Sequence, residues 1–291
     1  MLPRAVESVL AQDLRDLRLL ISDNASTDGT RDYCLAIRDR DPRVEYVRHA
    51  SHVTAHANFR FGLDTARTDL FMWLGDDDWL GERYLSRCVE ELDKDPALLA
   101  VAGAARYFHE GRAVFEGENI AATQPMPRAR VVSYFEQVFN NHIFYGLARR
   151  SAFLGVEIGE GLAMDWLVMA RIAFHGSLRT LDGVWINRGS QGESQDLAAH
   201  ARNLGLPPSV VRNPGAAIAW LAFVDVAWRS RTYRALPPLD RLSLALVVRS
   251  VIRKKFRISR WHNLQYALRA KLRLRSRARA VLARVRGAAS K

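Results

Sequence analysis

Cysteine is nearly absent: Cys34 and Cys88 are the only two in 291 residues. Two cannot build a disulfide framework or a four-cysteine zinc site. Both fall in stretches that read as helices, where reduced, half-buried thiols are expected, and this suits a reducing compartment. Long apolar runs are also missing. None reaches the roughly 20 residues that span a bilayer, and the best candidate, 216–228, is short and contains Asp225. The start lacks the basic, apolar and small-residue succession of a signal peptide, so a cytoplasmic protein is expected. No glycine-rich loop with its lysine is present, which excludes a P-loop NTPase. No internal repeat occurs, and low complexity is confined to the Arg-rich end.

Excess charge is missing from most of the chain. The net charge is +12, yet residues 1–239 carry 27 basic and 30 acidic side chains. Residues 240–291 hold 16 Lys/Arg against one acid. A folded domain with its own basic face for nucleic acid is therefore not expected. With 48% hydrophobic and 25% charged residues, the composition is that of a globular chain. The length admits one large domain or two modest ones.

Apolar periodicity places the elements. Residues 2–12 read as a helix with Ala5, Val6, Val9 and Leu10 on one face. Leu17–Ile21 reads as a buried strand, followed by the polar turn Ser22-Asp23-Asn24-Ala25-Ser26-Thr27-Asp28-Gly29-Thr30, in which Thr27 or Asp28 can cap a helix to Arg40. Strands at 44–47, 70–74 and 98–103 alternate with helices at 55–67 and 82–93. Such alternation indicates a parallel sheet with helices on both faces. Residues 106–130, with Gly111, Gly117, Pro125 and Pro127, read as an excursion from the sheet. A helix at 131–139, a strand-like 142–149, an amphipathic helix at 164–174 and a strand at 181–187 follow. Beyond Pro207-Pro208 only helices are expected.

The sharpest feature is Asp76-Asp77-Asp78 directly after an apolar strand. Ligands of open parallel sheets bind at the carboxyl ends of strands. Three adjacent carboxylates repel one another, and a hard Mg2+ or Mn2+ would relieve them. Taken alone, three acids after a strand favour a solvated turn that starts the next helix. Asp165 alone is evenly balanced between a helix-dipole acid and a proton-transfer group. His49, His52 and His56 have helical spacing but lie in a loop-like stretch without a fourth ligand, which favours surface histidines over zinc. Most aromatics fall in apolar runs. Trp79, beside the acids, is the exception.

Several motifs in one order change the balance. Glu7-Ser8-Val9-Leu10-Ala11-Gln12, the turn from Ser22 to Thr30, Asn58-Phe59, Gly75-Asp76-Asp77-Asp78-Trp79-Leu80, and Met164-Asp165-Trp166-Leu167 with Arg171 together resemble the family 2 glycosyltransferases of the GT-A fold. The resemblance covers about Leu2 to Arg188. It implies a Rossmann-like α/β domain at 1–205, with a mostly parallel sheet, and a helical, Arg-rich region at 206–291. It implies that Asp23, helped by Asn24, meets the base or ribose of a nucleotide-sugar such as a UDP- or dTDP-sugar. Asp76 and Asp77 would lie near the ribose and diphosphate. Asp78, with Asp76, would ligate Mg2+ or Mn2+, and Arg188 would stand near the diphosphate or acceptor. Asp165 would deprotonate the acceptor hydroxyl of a glycan or lipid-linked acceptor in an inverting transfer, as in bacterial surface polysaccharide synthesis.

Three departures stand out. Gly75 falls where many members carry the first acid. Met164-Asp165 replaces an acid pair. Met1-Leu2-Pro3 opens at the first helix, where members begin with an apolar strand and a turn, so an N-terminally truncated domain is expected. The basic end interleaves Leu242, Leu244, Leu246, Val247, Val251 and Ile252, then Leu264, Tyr266, Leu268, Leu272 and Leu274. That pattern suits adsorption to an anionic membrane and so a peripheral position at the inner membrane face. The alternative is a transferase-derived anchoring or scaffolding protein without activity. Nucleic-acid binding through the basic end ranks below both.

Overall fold

A computed structural model describes residues 1–189 and 197–257. In chain order the elements are α1 (Leu2–Leu10), β1 (Leu19–Asp23), α2 (Thr30–Arg40), β2 (Val44–Arg48), α3 (Ala55–Thr65), β3 (Leu70–Phe71), β4 (Trp79–Leu80), α4 (Tyr84–Lys94), β5 (Leu98–His109), β6 (Arg112–Glu116) and β7 (Ala121–Ala122). Then come α5 (Pro127–Gln137), a 3-10 turn (His142–Tyr145), β8 (Leu147–Arg149), α6 (Arg150–Leu154), α7 (Met164–His175), β9 (Ser177–Gly189), α8 (Leu197–Asn203), α9 (Pro208–Arg212) and α10 (Pro214–Val224). A last helix, α11, spans 238–257.

The α/β architecture matches the sequence reading, while the strand pairing is more mixed than alternation suggested. β1 and β2 form a parallel pair of their own. A second sheet runs β3-β8-β5-β9-β4, with β6 beside β5 and β7 beside β9. Within it only β5 and β9 are parallel. The stretch 72–74, expected as strand, joins no ladder. There the Trp73 indole turns inward instead. It donates to the Phe59 carbonyl at 3.0 Å and stacks on Phe144 at 4.9 Å between centroids.

Residues 106–116, expected as an excursion, continue the sheet. β5 runs on to His109 and turns into β6 through Glu110 and Gly111, both at positive φ. The second residue is glycine, which holds that conformation without strain. α7 has Trp166 to Phe174 buried without a break, so it is a central core helix rather than an amphipathic surface one. Cys34 and Cys88 are fully buried, and burial pushes their thiols up to about 11 and about 12.

The helices after 206 share that core. Ile218, Ala219 and Phe223 of α10, and Leu244, Val248 and Ile252 of α11, lie in one cluster with Tyr134, Met169 and Ile172. Arg171 of α7 and Asp225 fasten the two parts. Both are buried, with Nε 3.1 Å from Oδ2. Among the described residues no helix is long and apolar enough to cross a membrane.

Candidate functional site

The turn after β3 closes by a bond from the Asp78 amide to the Gly75 carbonyl. Its three carboxylates have different surroundings. Asp76 is exposed, and among the described residues no hydrogen bond or ion pair engages the side chain of Asp76 or Asp77. Asp77 lies between two glycines. A Cβ on Gly75 would come within 2.8 Å of Oδ1, and one on Gly189 within 2.8 Å of Oδ2. The absence of a side chain at Gly75 thus leaves room for the carboxylates of Asp77 and Asp78.

Asp78 is buried at 2% exposure. Oδ2 accepts from Arg188 Nε at 3.0 Å and Oδ1 from the Gly189 amide at 3.3 Å. Burial, reinforced by Asp77, raises its pKa against the opposing pull of Arg188. A buried carboxylate needs a counter-charge, and Arg188 at the end of β9 supplies it. Arg188 is therefore no ordinary surface arginine. Its side chain is 11% exposed, and its guanidinium carbon stands 4.2 Å from the Tyr145 ring centroid. Burial opposes its charge, but Asp78 prevails and its pKa is raised.

Asp165 stands in the first turn of α7. Its Oδ2 accepts from Asn141 Nδ2 at 2.8 Å, and Asn141 Oδ1 accepts from the Tyr134 hydroxyl at 2.8 Å. Burial raises the Asp165 pKa, although Asn141, the Trp166 amide and Arg188 pull the other way. Tyr145 feels the charges of Arg188, Asp165 and Asp78 together. Arg188 thus touches both Asp78 and Tyr145, and the charge of Asp165 acts on Tyr145 and Arg188.

Sequence reasoning missed the support of Asp165. Asn141 has φ +51°, a left-handed conformation that asparagine tolerates. The pair Asn140-Asn141 before a 3-10 turn was the available signal. Glu118 gave no signal. Its Oε1 accepts three successive amides, Phe139, Asn140 and Asn141, at 2.8–2.9 Å. From α11, Lys255 donates to the Val138 carbonyl, and burial lowers its pKa to about 8. Beside this loop His142 is buried, which lowers its pKa to about 4, with Nε2 3.2 Å from Thr180 Oγ1.

Asp23 and Asn24 are each engaged within their own loops. Asp23 Oδ1 accepts from the Ser26 amide at 2.8 Å and Oδ2 from the Tyr46 hydroxyl at 2.7 Å, with Arg48 Nε at 3.4 Å. Burial would raise its pKa, but these partners hold it below the usual value. The Asn24 amide bonds both ways with the backbone of Val53, at 2.9 and 2.8 Å. Both side chains brace loops, and among the described residues no bond links either to the group around Arg188. The three histidines do not converge: His49 pairs with Ser22 and Asn58. Trp79 is capped by Arg4, 3.3 Å above its ring.

No cluster of three metal-ligating side chains exists among the described residues. Asp78, expected with Asp76 as the metal-ligating pair, is ion-paired to Arg188 in this structure. Asp76 and Asp77 remain open. Two free carboxylates suit Mg2+, which takes one or two such oxygens and completes its shell with water and substrate phosphates. A carboxylate donor set of this kind fits a hard ion.

The mixed sheet, its covering helices and an acid-rich rim define the GT-A glycosyltransferase fold. The profile described as glycosyl transferase family 2 matches residues 1–155, and the chain belongs to that family. It is 28% identical over 95 residues to the GalNAc(5)-diNAcBac-PP-undecaprenol beta-1,3-glucosyltransferase of Campylobacter jejuni, covering 32% of this chain and 31% of that protein. It is 21% identical over 140 residues to glycosyltransferase GlyA of Streptococcus pneumoniae, covering 48% and 18%. The matches thus span a third or less of those relatives. Among solved structures, S. aureus TarS 1–349 in complex with UDP-GlcNAc has a TM-score of 0.56 at 14% identity, over 84% of this chain and 66% of that one. The mannosyltransferase PcManGT of Pyrobaculum calidifontis, with GDP-Man and Mn2+, has 0.50 at 18%, over 85% and 69%.

Proposed function

We propose that the chain transfers a sugar, with inversion, from a nucleoside-diphosphate donor to a hydroxyl of a glycan or lipid-linked acceptor. The observation that carries this reading is Asp165, a carboxylate with raised proton affinity held by Asn141, its charge acting on Tyr145 and Arg188. General-base catalysis wants a carboxylate tuned towards the working pH. In the step, Asp165 Oδ takes the acceptor's hydroxyl proton. The acceptor oxygen bonds to the anomeric carbon as the bond to the donor's phosphate oxygen breaks, and the electron pair leaves with the diphosphate. Arg188 brings positive charge to that side. Asp76 and Asp77 would hold Mg2+ or Mn2+, which when bound offsets charge on the leaving diphosphate.

The UDP-GlcNAc held by TarS supports a UDP-sugar donor, with a dTDP-sugar as the other candidate. The undecaprenol-linked name of the Campylobacter relative supports a lipid-linked acceptor, a role in surface polysaccharide synthesis and a peripheral place at a membrane. In this reading Asp23 and Asn24 act on the nucleotide through the loops they brace.

The test is release of nucleoside diphosphate from a panel of nucleotide-sugars with a prenyl-phosphate-linked glycan acceptor. Asp165→Asn is expected to lower kcat about 10²–10⁴-fold with donor KM nearly unchanged. A variant retaining full kcat overturns the assignment. A non-catalytic scaffold is the second reading, favoured by the internally satisfied oxygens of Asp23 and Asp78. Calorimetric binding of a nucleotide-sugar with Mn2+ counts against it.

A further inference from the structure

Of the apolar positions that the sequence suggested for membrane contact, Leu244 and Ile252 are buried in the main core, Leu242, Leu246 and Val247 are exposed, and Leu264, Tyr266, Leu268, Leu272 and Leu274 lie outside the described residues. Exposed apolar positions remain on one side of α11. Leu239 is 82% exposed, Leu242 39% and Leu246 52%. With Arg249, Arg253 and Arg257 they recur every three or four residues, so a 3.6-residue period brings all six to one side of α11. Leu246, Arg249, Arg253, Lys254 and Arg257 line a shallow groove of about 440 Å³.

An aromatic cluster adjoins this stripe. Trp220 is 51% and Trp228 58% exposed. Each packs on Phe223, with centroids 5.4 and 5.3 Å apart. The Arg249 guanidinium lies 5.4 Å from the Trp220 ring and 5.6 Å from Phe223, joining α11 to the indoles. Residues 214–257 contain nine basic side chains and two acids, Asp225 and Asp240. Asp225 is held by Arg171 and Asp240 by Arg128, so neither acid of this stretch is free to offset its positive charge.

We propose that this surface, Trp220, Trp228, Leu239, Leu242 and Leu246 edged by Arg249 and Arg253, docks the protein on an anionic lipid bilayer. Arginine and lysine are drawn to acidic headgroups. Indoles favour the boundary between headgroup and acyl chain, with one end apolar and the other wet. Leucines beside them gain by leaving water, as in helices that lie in the interface plane. A nucleic acid would satisfy the arginines but leave Leu239, Leu242 and Leu246 in water. The proposal gives the lipid-linked acceptor of the preceding reading a physical route to the site, but the docking itself needs neither donor nor acceptor.

The test is co-sedimentation of the full chain, without substrate, with vesicles of phosphatidylcholine alone or with about one-third phosphatidylglycerol. Indole emission is followed in parallel. At least about tenfold stronger partition to the anionic vesicles, with a blue shift, is expected. Leu242→Ser/Leu246→Ser and Arg249→Gln/Arg253→Gln should each cut that partition about tenfold or more, with melting temperature and donor turnover on a water-soluble acceptor unchanged. Equal partition of these variants and the parent overturns the proposal. So does equal binding to both vesicles, or salt-dependent binding of an oligonucleotide without vesicle binding. Loss of turnover with vesicle binding intact would instead sink the transfer reading alone.

Discussion

Asp165 carries two opposite expectations at the residue scale. As the base it must be ionised, so kcat/KM should fall as pH drops through a pKa above the ordinary carboxylate range. As a half-buried acid whose folded pKa is raised, it favours the folded state below its unfolded pKa. That contribution disappears as pH rises through the folded value. Asp165→Asn should therefore be inactive yet melt no lower than the parent near neutral pH, with any gain vanishing on acidification. Melting curves across the acid range check the sign. Asn141 tests the support: Asn141→Ala loses the bonds to Asp165 and Tyr134 and strains the left-handed backbone. About 2–3 kcal/mol of stability should go, and kcat with it. Denaturant midpoints and turnover, read together, would show an uncoupled Asn141 if kcat stayed intact.

Among the elements, β5 and β9 make the frame, and their close passage depends on Gly103. A Cβ there would meet the Val184 carbonyl oxygen at 2.6 Å and Tyr84 at 2.7 Å, next to the register shift between Gly103 and Ala104. Gly103→Ala should destabilise by about 1–3 kcal/mol, as overpacking does, and a urea titration would show it. The helices and most strands were legible because apolar spacing reports which face is buried. The sheet's pairing was not, since one apolar run fits a parallel or antiparallel neighbour equally well. The same limit applies to the site. Asp78 and Asp165 could be named from their neighbours, whereas the partner of Asp78 lies 110 positions away in Arg188, and Glu118 works only through backbone amides that a sequence does not advertise.

Across the whole molecule, the fastening of α7 to the C-terminal helices rests on Arg171 and Asp225. Arg171→Met would leave a buried aspartate without its cation and should cost about 3–5 kcal/mol. Replacing both by apolar residues should recover much of that, a comparison made by thermal melts of the three variants. The two sheets bear differently on motion. β1 and β2 share no ladder with the larger sheet, and the cluster under them holds only Val6, Ile21, Cys34 and Val44 among its buried members. Deuterium should enter the amides of Ile21 and Tyr46 well before those of Val101 and Leu178, so the lobe bearing Asp23 can breathe while the lobe bearing Asp165 stays shut.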